Sequence, residues 1–112
     1  MKRIPKGFQM GPRWISVAIV SEEEMRDIVN KNDTPLGPRD MVPKGLTVFE
    51  ANEIYVQKAH RGFTKQSQLH TFWHEYMHML FWCVGRERLS RDETLVDVCG
   101  AMQLQAIQSA EF

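Results

Sequence analysis

The chain has 112 residues, with 14 lysines and arginines balanced by 14 aspartates and glutamates, a neutral total that argues against a dedicated nucleic-acid-binding surface. Its hydrophobic share of 43% and charged share of 25% are those of a globular protein rather than a disordered chain. This length predicts one hydrophobic core and a single domain over residues 1–112, and no run reaches the ~18 apolar residues of a membrane span.

Residues 1–13 carry Pro5, Gly7, Gly11 and Pro12 and read as an irregular lead-in. Lys2, Arg3, Lys6 and Arg13 make this start basic, which is best explained as solvated surface. Residues 14–20, WISVAIV, mix β-branched and aromatic side chains and predict a first strand. Their apolar part is shorter than the core of a secretion signal and lacks a cleavage site, so a cytoplasmic protein is expected. Ser21 followed by Glu22, Glu23 and Glu24 marks a helix start, with a capping hydroxyl and acids at the positive end of the dipole. Met25, Ile28 and Val29 then give that helix an apolar stripe reaching to about Asn30.

Residues 31–45 are turn chemistry, NDTPLGPRD and then VPKG, a length of irregular chain that is often functional. Two short strands follow at 46–50 and 53–57, forming a hairpin around Ala51 and Asn52. Thr64 or Ser67 opens a long helix that stops at Gly85. A second helix starts in SRDE, residues 90–93, and runs to about Gln108. Strand, helix, hairpin and two packed helices define an α+β fold. Cys83 and Cys99 lie among apolar neighbours and read as buried, reduced thiols, with no Cys-x-x-Cys arrangement to bind metal or cycle redox. Trp73 and Trp82 on the long helix offer a hydrophobic contact surface, which leaves the oligomeric state open.

Within the long helix, TFWHEYMHML at 71–80 holds His74, Glu75 and His78 in an otherwise uncharged run. An apolar helix excludes such groups unless they are paired, hydrogen-bonded or holding a metal. Residues four apart share a helix face, so His74 and His78 can bind one ion. Glu75 is turned about 100° around the axis, beside the ion, where a carboxylate can take a proton from an activated water. A catalytic zinc normally has three protein ligands, and the last helix offers Asp92, Glu93 and Asp97. Glu93 and Asp97 lie on one face, with the small Gly100 and Ala101 permitting close helix approach. Glu93 is then the third ligand and Asp97 a hydrogen-bond acceptor for the far nitrogen of a ligand histidine. A capping box from Ser90 to Glu93 is the competing use of that glutamate, and Asp92 is the alternative ligand. His70 and His78 are two turns apart, about 12 Å, too far to share one ion, which puts His70 at the rim. Tyr55, His60 and Arg61 are candidates for stabilising an oxyanion.

The run at 71–80 resembles the extended signature of zincin metallopeptidases, with Thr71 three places ahead of the first histidine. ETLVD at 93–97 is similar to the Glu-x-x-x-Asp pattern of the gluzincin branch. A strand at 54–56 ahead of a helix carrying TFWHE is similar to the small ImmA/IrrE-type metallopeptidase domains of phages and bacteria. The resemblance covers residues 46–108. It implies a small, mainly antiparallel sheet packed on an active-site helix and a C-terminal helix. It also implies Zn²⁺ held by His74, His78 and Glu93, Asp97 supporting a ligand histidine, and Glu75 as general base. The substrate would be a peptide or protein, docked by strand addition along residues 54–57. The chain has no room for the second subdomain of large gluzincins. The alternative is therefore a catalytically inactive zinc-binding module of the same shape, acting through protein–protein contacts.

Overall fold

The computed structural model describes residues 3–32, 36–37 and 40–112; Lys2 and residues 33–35 and 38–39 of the turn-rich connection lie outside the described residues. The lead-in is not irregular. Gly7–Met10 forms β1 and pairs antiparallel with β2, Arg13–Val20. Gly11, at φ 58°, makes the turn between them in a region of backbone space that favours glycine. Phe8 and Met10 alternate with exposed Gln9 and turn toward the core, a period-two signal that the neighbouring glycines and prolines obscure.

Helix α1, Glu22–Asn32, opens with a reciprocal cap. Glu24 donates its N–H to Ser21 Oγ at 3.1 Å, and Ser21 donates its N–H to Glu24 Oε1 at 3.0 Å. The Ser21 backbone N–H, then its hydroxyl, hold the Glu24 carboxyl below its ordinary range. Ser21→Ala is expected to lower stability by about 1 kcal/mol. Because the folded pKa of Glu24 is depressed, its contribution is complete above the unfolded value and disappears as pH falls through the folded one. The gap in melting temperature between the wild type and Glu24→Ala should therefore hold near neutral pH and close as pH falls below the ordinary carboxylate value of 4.5.

β3, Gly45–Val48, pairs antiparallel with β4, Glu53–Gln57, around Asn52 at φ 56°. β4 also lies parallel to β2, from Ser16 opposite Glu53 to Val20 opposite Gln57. The sheet is therefore mixed, in the order β1-β2-β4-β3. This corrects the expectation that residues 54–57 present an open edge, because β4 has a partner on each side. Ile54, Val56 and Gln57 are each fully buried, which suits an interior strand and not a wet edge. The free edge beside the helices is β3.

Helix α2, Lys65–Cys83, begins where Thr64 Oγ1 accepts a hydrogen bond from Ser67 N–H at 3.1 Å. It ends before Gly85, which sits at φ 78°. A single turn, α3 (Glu87–Ser90), leads into α4, Glu93–Ser109. One face of the sheet packs Ile15, Ile54 and Val56 against Phe72, Trp73 and Met79 of α2 and Leu104 of α4. The other face gathers Val20 and Val42 with Met25 and Val29 of α1. The fold is α+β. Trp73 is a core residue, 6% exposed, so it offers no contact surface; Trp82 is half-buried. Cys83 and Cys99 are free thiols, half-buried where full burial was expected. Among the described residues no helix is long and apolar enough to cross a membrane.

Candidate metal centre

The helical repeat of α2 stacks His74 and His78 with their Nε2 atoms 3.2 Å apart. Glu93, in the first turn of α4, reaches both rings: Oε2 lies 3.1 Å from His74 Nε2 and Oε1 lies 3.2 Å from His78 Nε2. One turn later on the same face, Asp97 Oδ1 is 3.1 Å from His74 Nδ1.

Glu93 is free to face the rings because it does not cap its helix. Asp92 takes that role, its Oδ1 accepting the Leu95 N–H at 3.0 Å, so the alternative ligand is already engaged. Ser90, buried at the end of α3, serves His78 instead. Its carbonyl accepts from His78 Nδ1, and its hydroxyl donates to the His78 carbonyl at 2.8 Å.

These outer partners decide the tautomers. A carbonyl only accepts, so His78 Nδ1 carries the proton and leaves a lone pair on Nε2. The Asp97 carboxylate does the same for His74. The Glu93 carboxylate is also an acceptor. Three acceptors thus converge within 4.8 Å of one another, with no proton among them in the neutral tautomers. Such an arrangement favours positive charge between the three, supplied by a metal ion or by a proton on an imidazole. Ligands ~2.0–2.1 Å from a tetrahedral zinc stand roughly 3.3 Å apart. The two imidazole nitrogens, 3.2 Å apart, come close to that spacing, and Glu93 approaches each of them with a different carboxylate oxygen. Two imidazoles and a carboxylate are a donor set that could hold a metal ion.

Glu75 points to the sheet side of the same space. Thr47 Oγ1 of β3 donates to Glu75 Oε1 at 2.8 Å and touches the Glu75 carbonyl at 3.2 Å. Burial pushes the Glu75 carboxyl up, against the Thr47 hydrogen bond and the neighbouring His78 and His74, which pull it down. β3 can come this close because Gly45 has no side chain. A Cβ there would lie 2.6 Å from Thr71 Cγ2 and 2.9 Å from Glu75 Cγ.

Two adjoining cavities, of about 430 and 310 Å³, share Gly45, His74 and Glu75 and form one cleft along β3. His70 lines the first of them, away from the cluster of three. The oxyanion candidates lie elsewhere. Tyr55 packs on the α1 face of the sheet, and His60 Nδ1 bonds to the Arg61 carbonyl at 2.9 Å in a surface turn. No family model, curated protein or solved structure matches the chain. Thr47, Gly45, Lys44 and Ser90 are site residues that sequence reasoning missed. The legible signal was Gly45, a glycine directly before a strand, which marks a close backbone approach.

Proposed function

We propose that this protein is a zinc-dependent peptidase, with His74, His78 and Glu93 holding the ion and Glu75 acting as general base. The observation that carries this reading is the convergence of two imidazole nitrogens and a carboxylate beside a buried carboxylate held by Thr47. A bound zinc supplies the Lewis acidity that makes water acidic near neutral pH and polarises a carbonyl. Thr47 fixes Glu75 Oε1 and leaves Oε2 to accept a proton from the attacking water and return it to the departing amine. Asp97 and the Ser90 carbonyl hold the two Nδ1 atoms, which aims both Nε2 atoms at the site.

An extended peptide is the fitting substrate because β3 is a sheet edge along the cleft. The Gln57 N–H bonds to the Lys44 carbonyl, so the antiparallel alternation turns the backbone groups of Gly45 and Thr47 outward. A peptide strand can pair with them there.

The test is elemental analysis of the purified chain together with turnover of a broad peptide library. One zinc per chain is expected, lost in His74→Ala, with hydrolysis lost alongside it. A wild-type protein without stoichiometric zinc overturns the proposal. The rival reading, a zinc-holding module that cleaves nothing, is favoured by the absence of Tyr55, His60 and Arg61 from the cleft. Stoichiometric zinc without turnover of any peptide would establish that reading instead.

A further inference from the structure

The far ends of the cleft have opposite chemistry. At one end stands Lys44, immediately before β3 and half-buried. Its Nζ lies 5.2 Å from the Phe63 ring centroid, and no carboxylate among the described residues comes within ion-pairing distance of it. Its backbone is pinned: the Lys44 carbonyl accepts from Gln57 N–H at 2.9 Å. The fully buried Gln57 side chain donates to the Pro43 carbonyl, also at 2.9 Å. The two acids lining that part of the cleft are already engaged, Asp97 with His74 and Glu75 with Thr47. An ammonium over an aromatic ring, with no counter-ion among the described residues, favours an incoming anion.

At the other end, past Thr47, a further cavity of about 360 Å³ has an apolar wall of Leu46, Val48, Phe49 and Trp82, with Asn32 and Glu50 at its polar side. Its aromatic wall is packed on both sides. Phe49 and Trp82 stack with centroids 5.3 Å apart. The Arg13 guanidinium lies 4.5 Å from the Trp82 ring centroid and is itself held by Asn52 Oδ1 at 2.8 Å. Lys44 and Phe49 are separated by roughly 17 Å of extended chain, at ~3.4 Å per residue. Thr47, which touches the base, falls between them.

We propose that the cleft selects an extended peptide by its two ends. An anionic group, either an acidic side chain or a terminal carboxylate, lies toward Lys44, and an apolar side chain, preferably aromatic, lies toward Phe49 and Trp82. This specificity rests on the peptidase reading for the nature of the occupant. An ion pair at a half-buried site discriminates by about fivefold, and an aromatic side chain against a fixed indole by roughly tenfold.

The experiment uses the full-length Glu75→Gln chain loaded with zinc and fluorescein-labelled hexapeptides, read by anisotropy. The peptides carry Glu, Gln or Lys toward one end and Phe or Ser toward the other, in both chain directions, with and without a C-terminal amide. In the preferred direction, Glu is expected to bind about fivefold tighter than Lys at low salt. Lys44→Glu should reverse that order, and salt should weaken it. Phe should exceed Ser in the wild-type background and lose its advantage in Trp82→Ala. Trp82→Phe, which keeps an aromatic wall, should retain most of it and covers the case in which the alanine variant does not fold. A preference confined to peptides with a free C-terminus assigns the anion to the terminal carboxylate, and one that persists in amidated peptides assigns it to the side chain. Equal affinity for Glu and Lys peptides, unchanged by Lys44→Glu, overturns the inference, and so does the absence of binding. Cleavage by the wild type without this preference removes the specificity and leaves the peptidase. Selective binding without cleavage removes the peptidase and leaves the subsites.

Discussion

Glu75→Gln is expected to keep one zinc per chain while hydrolysis falls by roughly 10²–10⁴-fold, the usual contribution of a positioned general base. The side chains that could hold an ion are His74, His78 and Glu93, and Glu75 is not among them. The amide keeps the shape of the carboxylate and can still accept from Thr47 through its carbonyl oxygen. What it loses is the capacity to take a proton. Zinc content and a peptide-hydrolysis assay on the same preparation check both halves. Hydrolysis undiminished in the variant would remove Glu75 from the reaction, and loss of zinc would place it among the ligands.

Gly100→Ala should weaken zinc binding by about 10–100-fold, the usual effect of displacing the partners behind a metal ligand. The glycine sits where α4 crosses α2. A Cβ there would lie 2.9 Å from the Trp73 carbonyl carbon and oxygen and 3.0 Å from the His74 nitrogen. All three are backbone atoms of a packed helix and cannot rotate away. Alanine is the better helix former by about 1 kcal/mol, but overpacking against a rigid surface costs about 1–3 kcal/mol. The steric term wins, α4 is pushed away, and Glu93 and Asp97 retreat from the imidazoles. Zinc titration and thermal melts check this. A variant that melts higher than the wild type, with unchanged zinc affinity, would mean that helix propensity outweighs the clash.

The elements with strong periodicity were legible in the sequence. α1 announces itself through Ser21 and its glutamates. α2 and α4 carry long helical patterns, and the β3–β4 hairpin follows from its turn residues. β1 was hidden because four residues between glycines and prolines carry too little pattern, and its pairing with β2 supplies what its own propensity lacks. The place of β4 in the sheet was hidden for another reason. The parallel pairing of β4 with β2 is reached only after the chain has passed through α1 and β3, and nothing local in residues 53–57 encodes which neighbours they will meet.

The candidate centre divides in the same way. That His74 and His78 share a face is a property of one helix and can be read from spacing alone. Where Glu93 points depended on which residue caps α4, a choice between Ser90 and Asp92 that side-chain geometry settles and spacing does not. Thr47 was invisible because its relation to Glu75 spans layers: 28 positions apart in sequence, 2.8 Å apart in space.

That last contact means the proposed site is a joint between two bodies. The helical layer carries every atom that would grip the ion, whereas the sheet, through Thr47, aims the carboxylate that would move the proton. A small slide of the helices over the sheet would change how the base is presented and leave the grip on the ion almost untouched. In the proposed site, occupancy and rate would thereby come under separate mechanical control. Substitutions that alter the seating of β3 on α2, at Gly45 above all, would tune turnover in a protein that still fills with zinc.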